Sequence, residues 1–393
     1  MAVAPIADPI ERASLIVNRD DGHPYDAVVP PIVQSSLFTF PSYEELEATF
    51  KGDRVRPIYS RGLNPTVQQL EAKLAALEAT DEAIGFASGM AAISSTVMTF
   101  VRLGDRMICV RHIYPDAYRL FETLLKRWNI AVTYVDGADP AAVEAALPGA
   151  ALFYMESPTS WMMQAHDVAA LAVLARKHQV LSVIDNSWAS PVFQQPIALG
   201  VDLVVHSASK YIGGHSDTVG GVLSGSKAMM KKIFDSEFLN TGCGIQPFNA
   251  WLLIRGLRTM PARLERISRT TREVAAFLKA HPRIEGILFP FDEDFPQYAL
   301  AKRQMQGACG LLSCYVRAST RAEIVRFCEA LKHIMMAVSW GGHESLIIPK
   351  CASLSTGDFD PSIPEHRMIR LYTGLEDAGY LIRDLEQAIL SAW

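Results

Sequence analysis

The sequence predicts an α/β protein with a mostly parallel sheet flanked by helices, an N-terminal arm and a smaller α/β C-terminal domain. Three observations indicate this fold class. Between residues 61 and 258, short apolar runs alternate with helical segments, which is typical of parallel strands joined by crossover helices. The first 60 residues are irregular and contain many prolines. After residue 258, strands become fewer and a long helical segment appears.

The N-terminal arm is predicted over residues 1–60. Its stretch "AVVPPIVQSSLFTFPSYEE" is irregular, and we expect an arm of this length to pack on another surface, such as a neighbouring subunit. The start, "MAVAPIADPIERASL", has no basic segment and contains acidic residues early. We therefore do not expect a signal peptide.

The central domain is predicted over residues 61–258. It begins with the helix "TVQQLEAKLAALEA". The candidate strands are "AIGFA", "RMICV", "AVTYV", "ALFYM", "VLSVI" and "DLVVH". The helical segments between them include "AYRLFETLLKRW", "DPAAVEAAL" and "VAALAVLARKH".

The C-terminal domain is predicted over residues 259–393. It follows the long helix "RGLRTMPARLERISRTTREVAAFLKAHPRI". The candidate strands in this domain are "GLLSCYV" and "HIMMAV", and the further helices are "TRAEIVRFCEALK" and "LEDAGYLIRDLEQAIL".

Composition and charge exclude several classes of protein. Of the 393 residues, 49% are hydrophobic and 20% are charged, which is typical of a globular chain. The net charge is −5 and no basic run occurs, so we expect no nucleic-acid partner. The uncharged stretch 83–101 is long enough to span a bilayer. Its serines, threonines and glycines favour a strand followed by a buried helix instead, so we expect no membrane partner.

The cysteines and histidines give no sign of a metal site. The six cysteines contain no C-x-x-C pattern, and the ten histidines are scattered along the chain. Neither distribution has the spacing of metal ligands. We expect buried free thiols in a reducing cytoplasm.

Polar residues follow four of the predicted strands, at the carboxyl ends where open parallel sheets bind their ligands. Each segment alone is also typical of an ordinary loop. The four segments are Ser88-Gly89-Met90, Glu156-Ser157-Pro158, Asp185-Asn186 and Ser207-Ala208-Ser209-Lys210.

Together these segments supply the groups that pyridoxal 5'-phosphate (PLP) needs. The serines and Gly89 offer hydroxyl and backbone N–H donors to a phosphate. Asp185 can hold a proton on a heterocyclic nitrogen, and Lys210 can form a Schiff base with an aldehyde. Because PLP has a phosphate, a ring nitrogen and an aldehyde, the sequence predicts PLP as the cofactor.

Seven segments strengthen this prediction. In chain order they are "YSRGLNPT", "ASGMAAI", "VIDNSWASP", "HSASKYIGGHSD", "RGLRTM", "SWGGHESL" and "RLYTGLED". In sequence and in order they resemble the motifs of the Cys/Met-metabolism family of PLP enzymes, the transsulfuration group. The resemblance covers nearly the whole chain. It implies a fold type I PLP-dependent transferase with a seven-stranded sheet, assembled as a homotetramer of two catalytic dimers.

The resemblance also implies roles for the cofactor-binding residues. Lys210 would bind PLP as a Schiff base and act as the catalytic base, while Asp185 would pair with the pyridine nitrogen. Tyr114 would stack on the pyridine ring and, with Lys210 and Tyr59, is a catalytic candidate. The residues that would hold the phosphate are Ser88, Gly89, Met90, Ser207 and Ser209.

Further matched positions concern the neighbouring subunit and the substrate. Tyr59 and Arg61 would reach the phosphate of the neighbouring subunit's cofactor, so the site would depend on a dimer. Arg370 would pair bidentately with the α-carboxylate of the substrate, a geometry that suits a guanidinium. Ser339 would lie beside Lys210 and the substrate.

Two tryptophans and a serine bear on the reaction. Trp188, Trp340 and Ser160 resemble the β-lyase members of the family, and the tryptophans would form walls of the substrate site. We therefore expect a carbon–sulfur lyase that converts the sulfur amino acid L-cystathionine to homocysteine, pyruvate and ammonia. The alternative is a γ-acting relative: cystathionine γ-lyase, cystathionine γ-synthase or an enzyme that uses O-acylhomoserine.

Some positions depart from the family pattern. Pro115-Asp116 stands where relatives often have Gly-Gly, and no cysteine closely follows Tyr114, which counts against methionine γ-lyase. Tyr372 replaces a more usual serine or histidine, and His343 has no assigned role. Two other readings stay open: a γ-elimination enzyme of secondary metabolism, and a cofactor-binding regulator without catalysis.

Overall fold

The computed structural model describes residues 8–18, 26–355 and 357–393. The predicted arm therefore lies partly outside the described residues, which omit 1–7 and 19–25. Its described part was predicted to be irregular but contains two helices, α1 (Pro9–Asn18) and α2 (Tyr43–Lys51). Helix α1 buries Ala13 and Val17 and packs against its own chain, whereas α2 has no buried residue.

The main sheet of the described residues has seven strands in the order β1-β7-β6-β5-β4-β2-β3. Strand β7 is antiparallel to both of its neighbours, and the other strand pairs are parallel. The predicted mostly parallel seven-stranded sheet is therefore confirmed. The strands are β1 (Glu82–Phe86), β2 (Arg106–Val110), β3 (Ala131–Val135), β4 (Leu152–Glu156), β5 (Leu181–Asp185), β6 (Leu203–Ser207) and β7 (Gly221–Gly225).

Helices cover this sheet and begin at recognisable sequence signals. Asn64 and Asp139 accept hydrogen bonds from the first turns of their helices, and a proline follows each of them at the first helical position. The helices are α3 (Pro65–Glu78), α4 (Gly89–Phe100), α5 (Pro115–Leu120), α6 (Pro140–Ala146), α7 (Val168–Lys177), α8 (Ser190–Phe193), α9 (Lys227–Ile233) and α10 (Leu239–Thr241). Single π-helical turns continue α5 (Phe121–Leu125) and α9 (Phe234–Phe238).

A second sheet of five strands lies in the C-terminal part of the described chain, in the order β10-β11-β12-β9-β8. Strand β10 is parallel to β11, and the remaining pairs are antiparallel. The strands are β8 (Ile284–Leu288), β9 (Leu311–Val316), β10 (Met335–Met336), β11 (Leu346–Pro349) and β12 (Met368–Tyr372). The remaining helices are α11 (Pro247–Ala280), α12 (Tyr298–Gln304), α13 (Arg321–Ala330) and α14 (Ala378–Ala392).

Helix α11 joins the two sheets. It packs against α1 and α3 near the main sheet, and against β8 and α14 near the second. The predicted boundary between residues 258 and 259 falls inside this helix. We keep the three-part division (1–60, 61–258 and 259–393) as a proposal.

Strand register brings the polar strand ends together. Glu156 at the end of β4 pairs with Asp185 at the end of β5, and Asp185 pairs with Val205 on β6. Strand β7 approaches the start of α4 so closely that a Cβ atom on Gly221 would lie 2.1 Å from the carbonyl oxygen of Ser88. This packing fixes the amino end of α4 beside the ends of β4, β5 and β6.

Three global features of the described residues bear on the predicted classes. No described helix combines the length and apolar character that crossing a membrane requires. No cluster of three or more His, Cys, Asp or Glu side chains in the described part could hold a metal ion. All six cysteines are free thiols, and all except the partly exposed Cys243 are buried.

Candidate active site

A cavity of about 530 Å³ lies at the carboxyl ends of β4, β5 and β6. Its walls also include Leu311 on β9, Ile348 on β11 and Arg370 on β12, so both sheets contribute. The structure brings most of the predicted site residues to this one cavity. Those that line it are Ser88, Gly89, Met90, Tyr114, Asp185, Trp188, Ser207, Ser209, Lys210, Ser339, Trp340 and Arg370.

Lys210 follows β6 and reaches into the cavity. Its ammonium group donates a hydrogen bond to the Ser339 hydroxyl and lies 5.2 Å from the centroid of the Trp340 ring. Burial, followed by the positive charge of Arg370, lowers the pKa of Lys210 to about 8, against the opposing effect of Asp185. The neutral amine that a nucleophile or base requires is therefore far more abundant near physiological pH than in an ordinary lysine.

Asp185 ends β5 and is buried. Its carboxylate accepts a hydrogen bond from the backbone N–H of Ser187 at 2.9 Å. Burial raises the pKa of Asp185, whereas Ser187 and the positive charges of His206 and Lys210 lower it. A buried carboxylate of this kind suits a protonated heterocyclic nitrogen, because a cationic partner compensates for the cost of burying the charge.

Glu156 is a site residue that the sequence analysis did not assign a role. It accepts hydrogen bonds from the backbone N–H groups of Tyr114 at 2.7 Å and Ser160 at 2.6 Å. Burial, and then the neighbouring charge of Asp185, raise the pKa of Glu156 to about 8. Glu156 thus anchors the loops that bear Tyr114 and Trp161 on either side of the cavity.

The amino end of helix α4 forms the third corner of the cavity. Ser88 caps the helix and accepts a hydrogen bond from Ala91 N at 3.0 Å. Gly89 packs so tightly that a Cβ atom there would lie 3.1 Å from Ser207 Cα. Unpaired N–H groups at a helix start, together with the helix dipole, favour an anion. With the nearby hydroxyls of Ser207 and Ser209, this corner suits a phosphate.

Arg370 lies on β12 and is buried, with its guanidinium 4.9 Å from the centroid of the Trp161 ring. Burial lowers its pKa to about 10, so it stays protonated at neutral pH. Within the described chain, no carboxylate lies within ion-pair distance of it. A buried guanidinium facing a cavity without an acidic partner is suited to a carboxylate ligand.

Tyr114 is held by the residues that depart from the family pattern. Pro115 starts α5 directly after Tyr114. The hydroxyl of Tyr114 donates a hydrogen bond to Asp116 at 2.6 Å, and Asp116 also pairs with Arg119 at 2.5 Å. Burial, followed by Asp116, raises the pKa of Tyr114 well above its usual value. The phenol therefore keeps its proton and is a potential proton donor.

Residues 339–342 form a loop that contributes Ser339 and Trp340 to the wall of the cavity. Ser339 and Gly341 both have positive φ angles, of 85° and 91°. The buried Tyr372 donates a hydrogen bond to the carbonyl of Gly342 at 2.7 Å. Tyr372 therefore stabilises this loop through a hydrogen bond to its backbone. The side chain of His343 is exposed and lies 3.1 Å from Glu344, outside the cavity.

Gly341→Ala should disturb the lysine itself. A Cβ atom at Gly341 would lie 2.8 Å from the backbone of Lys210, and the positive φ adds strain. We expect a stability loss of about 1–3 kcal/mol and weaker cofactor binding, measured by thermal unfolding and PLP titration. Gly104→Ala is the matched control, because Gly104 also has a positive φ but open space around it. Equal effects of the two substitutions would contradict the predicted contact with Lys210.

Tyr59 and Arg61 do not line this cavity. Tyr59 is 51% exposed and forms an isolated bridge with Leu37. The exposed guanidinium of Arg61 donates to the carbonyl oxygen of Leu239. Both residues lie on the surface of the described chain, so their predicted roles stay a prediction about an assembly.

Comparisons with known proteins identify the family. Residues 13–390 match the sequence profile of the Cys/Met metabolism PLP-dependent enzymes. The chain belongs to this family. It is 37% identical to an L-methionine gamma-lyase of Pseudomonas putida over 380 residues, which cover 93% of this chain and 95% of that protein. It is 36% identical to a cystathionine gamma-lyase of Bacillus subtilis over 374 residues, which cover 92% and 94%.

A solved structure from the same family confirms the predicted fold class. The chain is similar to a cystathionine gamma synthase from Xanthomonas oryzae pv. oryzae that was solved in complex with aminoacrylate and cysteine. The TM-score is 0.89 at 30% sequence identity, and the match covers 98% of this chain and 99% of the other.

The residues in the cavity fit PLP, the cofactor of this family. The α4 start and the serines offer donors for the phosphate, Asp185 offers an anion for the pyridine nitrogen, and Lys210 offers an amine for the aldehyde. Gly89 and Gly221 also fit, because a Cβ atom at either position would intrude on the backbone of the phosphate corner. The sequence prediction of PLP as cofactor is confirmed by the family membership.

Proposed function

We propose that the protein cleaves the Cγ–S bond of a sulfur-containing L-amino acid. The balanced reaction consumes water and releases a thiol, 2-oxobutyrate and ammonia. The observation that supports this proposal best is the meeting of Lys210, Asp185 and Arg370 in one cavity, in a chain whose relatives are named as γ-acting enzymes. The relatives thus favour the γ-acting alternative over the expected β-lyase.

The tryptophans that suggested a β-lyase have structural roles in this chain. Trp188 is buried and packs in the hydrophobic core. Trp340 packs on Tyr211 with 5.4 Å between the ring centroids. Both residues form walls of the cavity, but hydrophobic walls discriminate weakly between closely related substrates. The tryptophans are therefore compatible with cleavage of either the Cβ–S or the Cγ–S bond.

Substrate binding follows from the charges of the cavity. Arg370 donates two hydrogen bonds to the α-carboxylate in a bidentate arrangement. Trp161 covers the guanidinium and limits its freedom, so the carboxylate fixes the orientation of Cα relative to Lys210. The apolar walls, which include Val219, Val338 and Ile348, suit the carbon chain of the substrate.

Two of the proton transfers can be assigned to side chains. When bound, PLP supplies an electron sink for the negative charge that develops on the substrate carbon. Lys210 in its neutral form removes the proton from Cα, and γ-chemistry requires a second proton to be removed from Cβ. Tyr114 keeps its hydroxyl proton through Asp116 and is the candidate donor to the departing sulfur.

Hydrogen exchange in D₂O tests the proposed γ-cleavage with a substrate analogue that has no leaving group. L-norvaline can lose protons from Cα and Cβ but has no thiol to release. A γ-acting enzyme should introduce deuterium at both positions, as seen by ¹H NMR, and Lys210→Ala should introduce none. Exchange at Cα alone would contradict the proposal.

A second candidate function is γ-replacement on an O-acylated homoserine, which the similarity to a cystathionine gamma synthase favours. This candidate is tested by adding L-cysteine together with the O-acylated substrate.

We also propose that two copies of the chain complete each site. Residues of the arm leave large apolar side chains uncovered by their own chain, among them Val28, Tyr43, Phe50 and Val55. Such a surface favours contact with another protein surface, and a second copy is the partner that places Tyr59 and Arg61 near a cavity. The predicted homotetramer and cytoplasmic location remain proposals.

Subunit complementation provides a direct check on the shared site. Lys210→Ala and Arg61→Ala should each inactivate the homo-oligomer. In a mixed dimer, one site combines the intact Lys210 of one subunit with the intact Arg61 of the other. The mixed dimer, co-expressed and isolated through two different tags, should therefore have about half of the wild-type activity per site. If the mixture stays as inactive as the separate variants, Arg61 does not act across subunits.

A further inference from the structure

We propose that Glu78 and His206 form a buried ion pair that positions Asp185 and keeps it negatively charged toward the pyridine nitrogen. Both are positioning residues, because they act through Asp185 and do not line the cavity. Because the ring nitrogen of the cofactor serves cleavage of either the Cβ–S or the Cγ–S bond, the pair has the same role in both.

The pair lies behind the cavity, where helix and sheet meet. Glu78 is the last residue of α3, and His206 lies on β6. The carboxylate of Glu78 is hydrogen bonded to His206 Nε2, and each residue is only 1% exposed. The same carboxylate oxygen accepts a hydrogen bond from Asn186 Nδ2 at 3.3 Å. Asn186 directly follows Asp185, so the pair is connected to the segment that bears the catalytic carboxylate.

The position of Glu78 is energetically unfavourable without a positive partner. A negative charge at the carboxyl end of a helix opposes the helix dipole, and burying a carboxylate requires compensation. Its second oxygen has no hydrogen-bond partner among the described residues. Arg12 acts on Glu78 from a distance, but its own hydrogen bonds go to backbone carbonyls. The imidazole of His206, which is hydrogen bonded to Glu78, can supply this compensating charge.

A protonated His206 acts in turn on Asp185. The two residues lie on adjacent strands, since Asp185 pairs with Val205, the residue before His206. The positive charge of His206 lowers the pKa of Asp185 against the effect of burial, as does Lys210. In the loaded protein, the nitrogen of Lys210 is bound to the cofactor. The positive charge of His206 still favours ionised Asp185 there, against the neighbouring Glu156.

A buried hydrogen-bond network holds the pair and the strand end in place. Gln194 Nε2 donates to Asn186 Oδ1 at 2.8 Å and to the carbonyl of Ser157 at 3.0 Å. Asn186 N also donates to the carbonyl of Val205 at 2.9 Å. Because these bonds do not depend on the charge of Glu78, a neutral amide at that position should leave the backbone unchanged.

NMR of PLP labelled with ¹⁵N in the pyridine ring tests the proposal on the holoenzyme. The ¹⁵N shift distinguishes a protonated ring nitrogen from a neutral one. We expect the wild-type signal to be that of a pyridinium. Glu78→Gln and His206→Gln should move it toward neutral pyridine and weaken PLP binding about tenfold, the factor that corresponds to one pKa unit.

The control and the contrary results are equally specific. His166→Gln alters another fully buried histidine, whose ring nitrogens have no hydrogen-bond partner in the described structure, and should leave the ¹⁵N shift at its wild-type value. An unchanged shift in folded Glu78→Gln and His206→Gln would overturn the proposal. So would a failure of both variants to fold, because that result would assign the pair a purely structural role.

Discussion

Lys210→Ala is expected to lower kcat by at least about 10³-fold. The substitution removes the amine that we propose binds the aldehyde and acts as the base for the Cα proton. The lowered pKa of Lys210 shows that burial and Arg370 already favour the neutral form. Because the variant lacks the amine in any protonation state, the loss should appear at every pH at which the protein is folded, and steady-state kinetics with a thiol or oxo-acid readout measure it.

Reduction with borohydride separates the two roles of this lysine. In the wild-type protein, the reduced cofactor should be found on the peptide that contains Lys210, whereas Lys210→Ala should retain no covalent label. Lys227→Ala is the control, since its side chain is 79% exposed and its ammonium lies 3.7 Å from the Glu82 carboxylate. Labelling of another lysine in the wild-type protein would contradict the assignment.

Arg370→Ala is expected to have the second-largest effect. Removal of one partner of a buried, hydrogen-bonded charge pair costs about 2–5 kcal/mol, which corresponds to a decrease in kcat/KM of about 30-fold to several thousand-fold. The loss should appear mainly as a higher KM, because the α-carboxylate is charged in the ground state as well as in the transition state. Arg370→Lys should recover only part of the lost kcat/KM, because an ammonium group lacks the planar geometry with which a guanidinium binds both carboxylate oxygens.

Arg367 provides the matched control for Arg370. It is equally buried, at 8% exposure, and lies three residues earlier in the chain. Its guanidinium instead pairs with Glu285 and the carbonyl of Val316. Arg367→Ala should lower the melting temperature but leave the KM of the folded protein unchanged. An increase in KM as large as that of Arg370→Ala would show that the effect is general destabilisation.

The strand ends could be predicted from the sequence because one physical rule places them. Parallel strands bring their carboxyl ends to one edge, so the residues after "AIGFA", "VLSVI" and "DLVVH" had to lie close together. The six predicted strands of the main sheet are all present, and β7 was the one that pattern reasoning did not list. Its sequence, "GVLSG", is short and bounded by glycines, so it lacks the apolar signal of its neighbours.

The second sheet was harder to predict because its strands do not have the expected patterns. Strand β12, "MIRLY", contains Arg370 at its centre. This charged residue interrupts the run of apolar residues by which a buried strand is recognised in a sequence. The charge is tolerated there because it faces the cavity beside Trp161. The predicted strand "HIMMAV" is reduced to Met335–Met336, which are both exposed.

Long-range contacts account for the site features that the sequence did not indicate. The packing of Gly341 on the Lys210 backbone joins segments that are far apart in the chain, as does the contact of Trp161 with Arg370. Neither pattern nor propensity reports such a contact. The Glu78–His206 pair likewise joins α3 to β6, and only the folded chain brings these two residues together.

The most direct test of the proposed γ-cleavage is the identity of the oxo acid. Purified protein with added PLP is incubated with L-methionine and, separately, with L-cystathionine, and the products are identified by mass spectrometry. We predict 2-oxobutyrate, with methanethiol from the first substrate or cysteine from the second. Pyruvate together with homocysteine from L-cystathionine would contradict the proposal and restore the β-lyase that Trp188 and Trp340 first suggested.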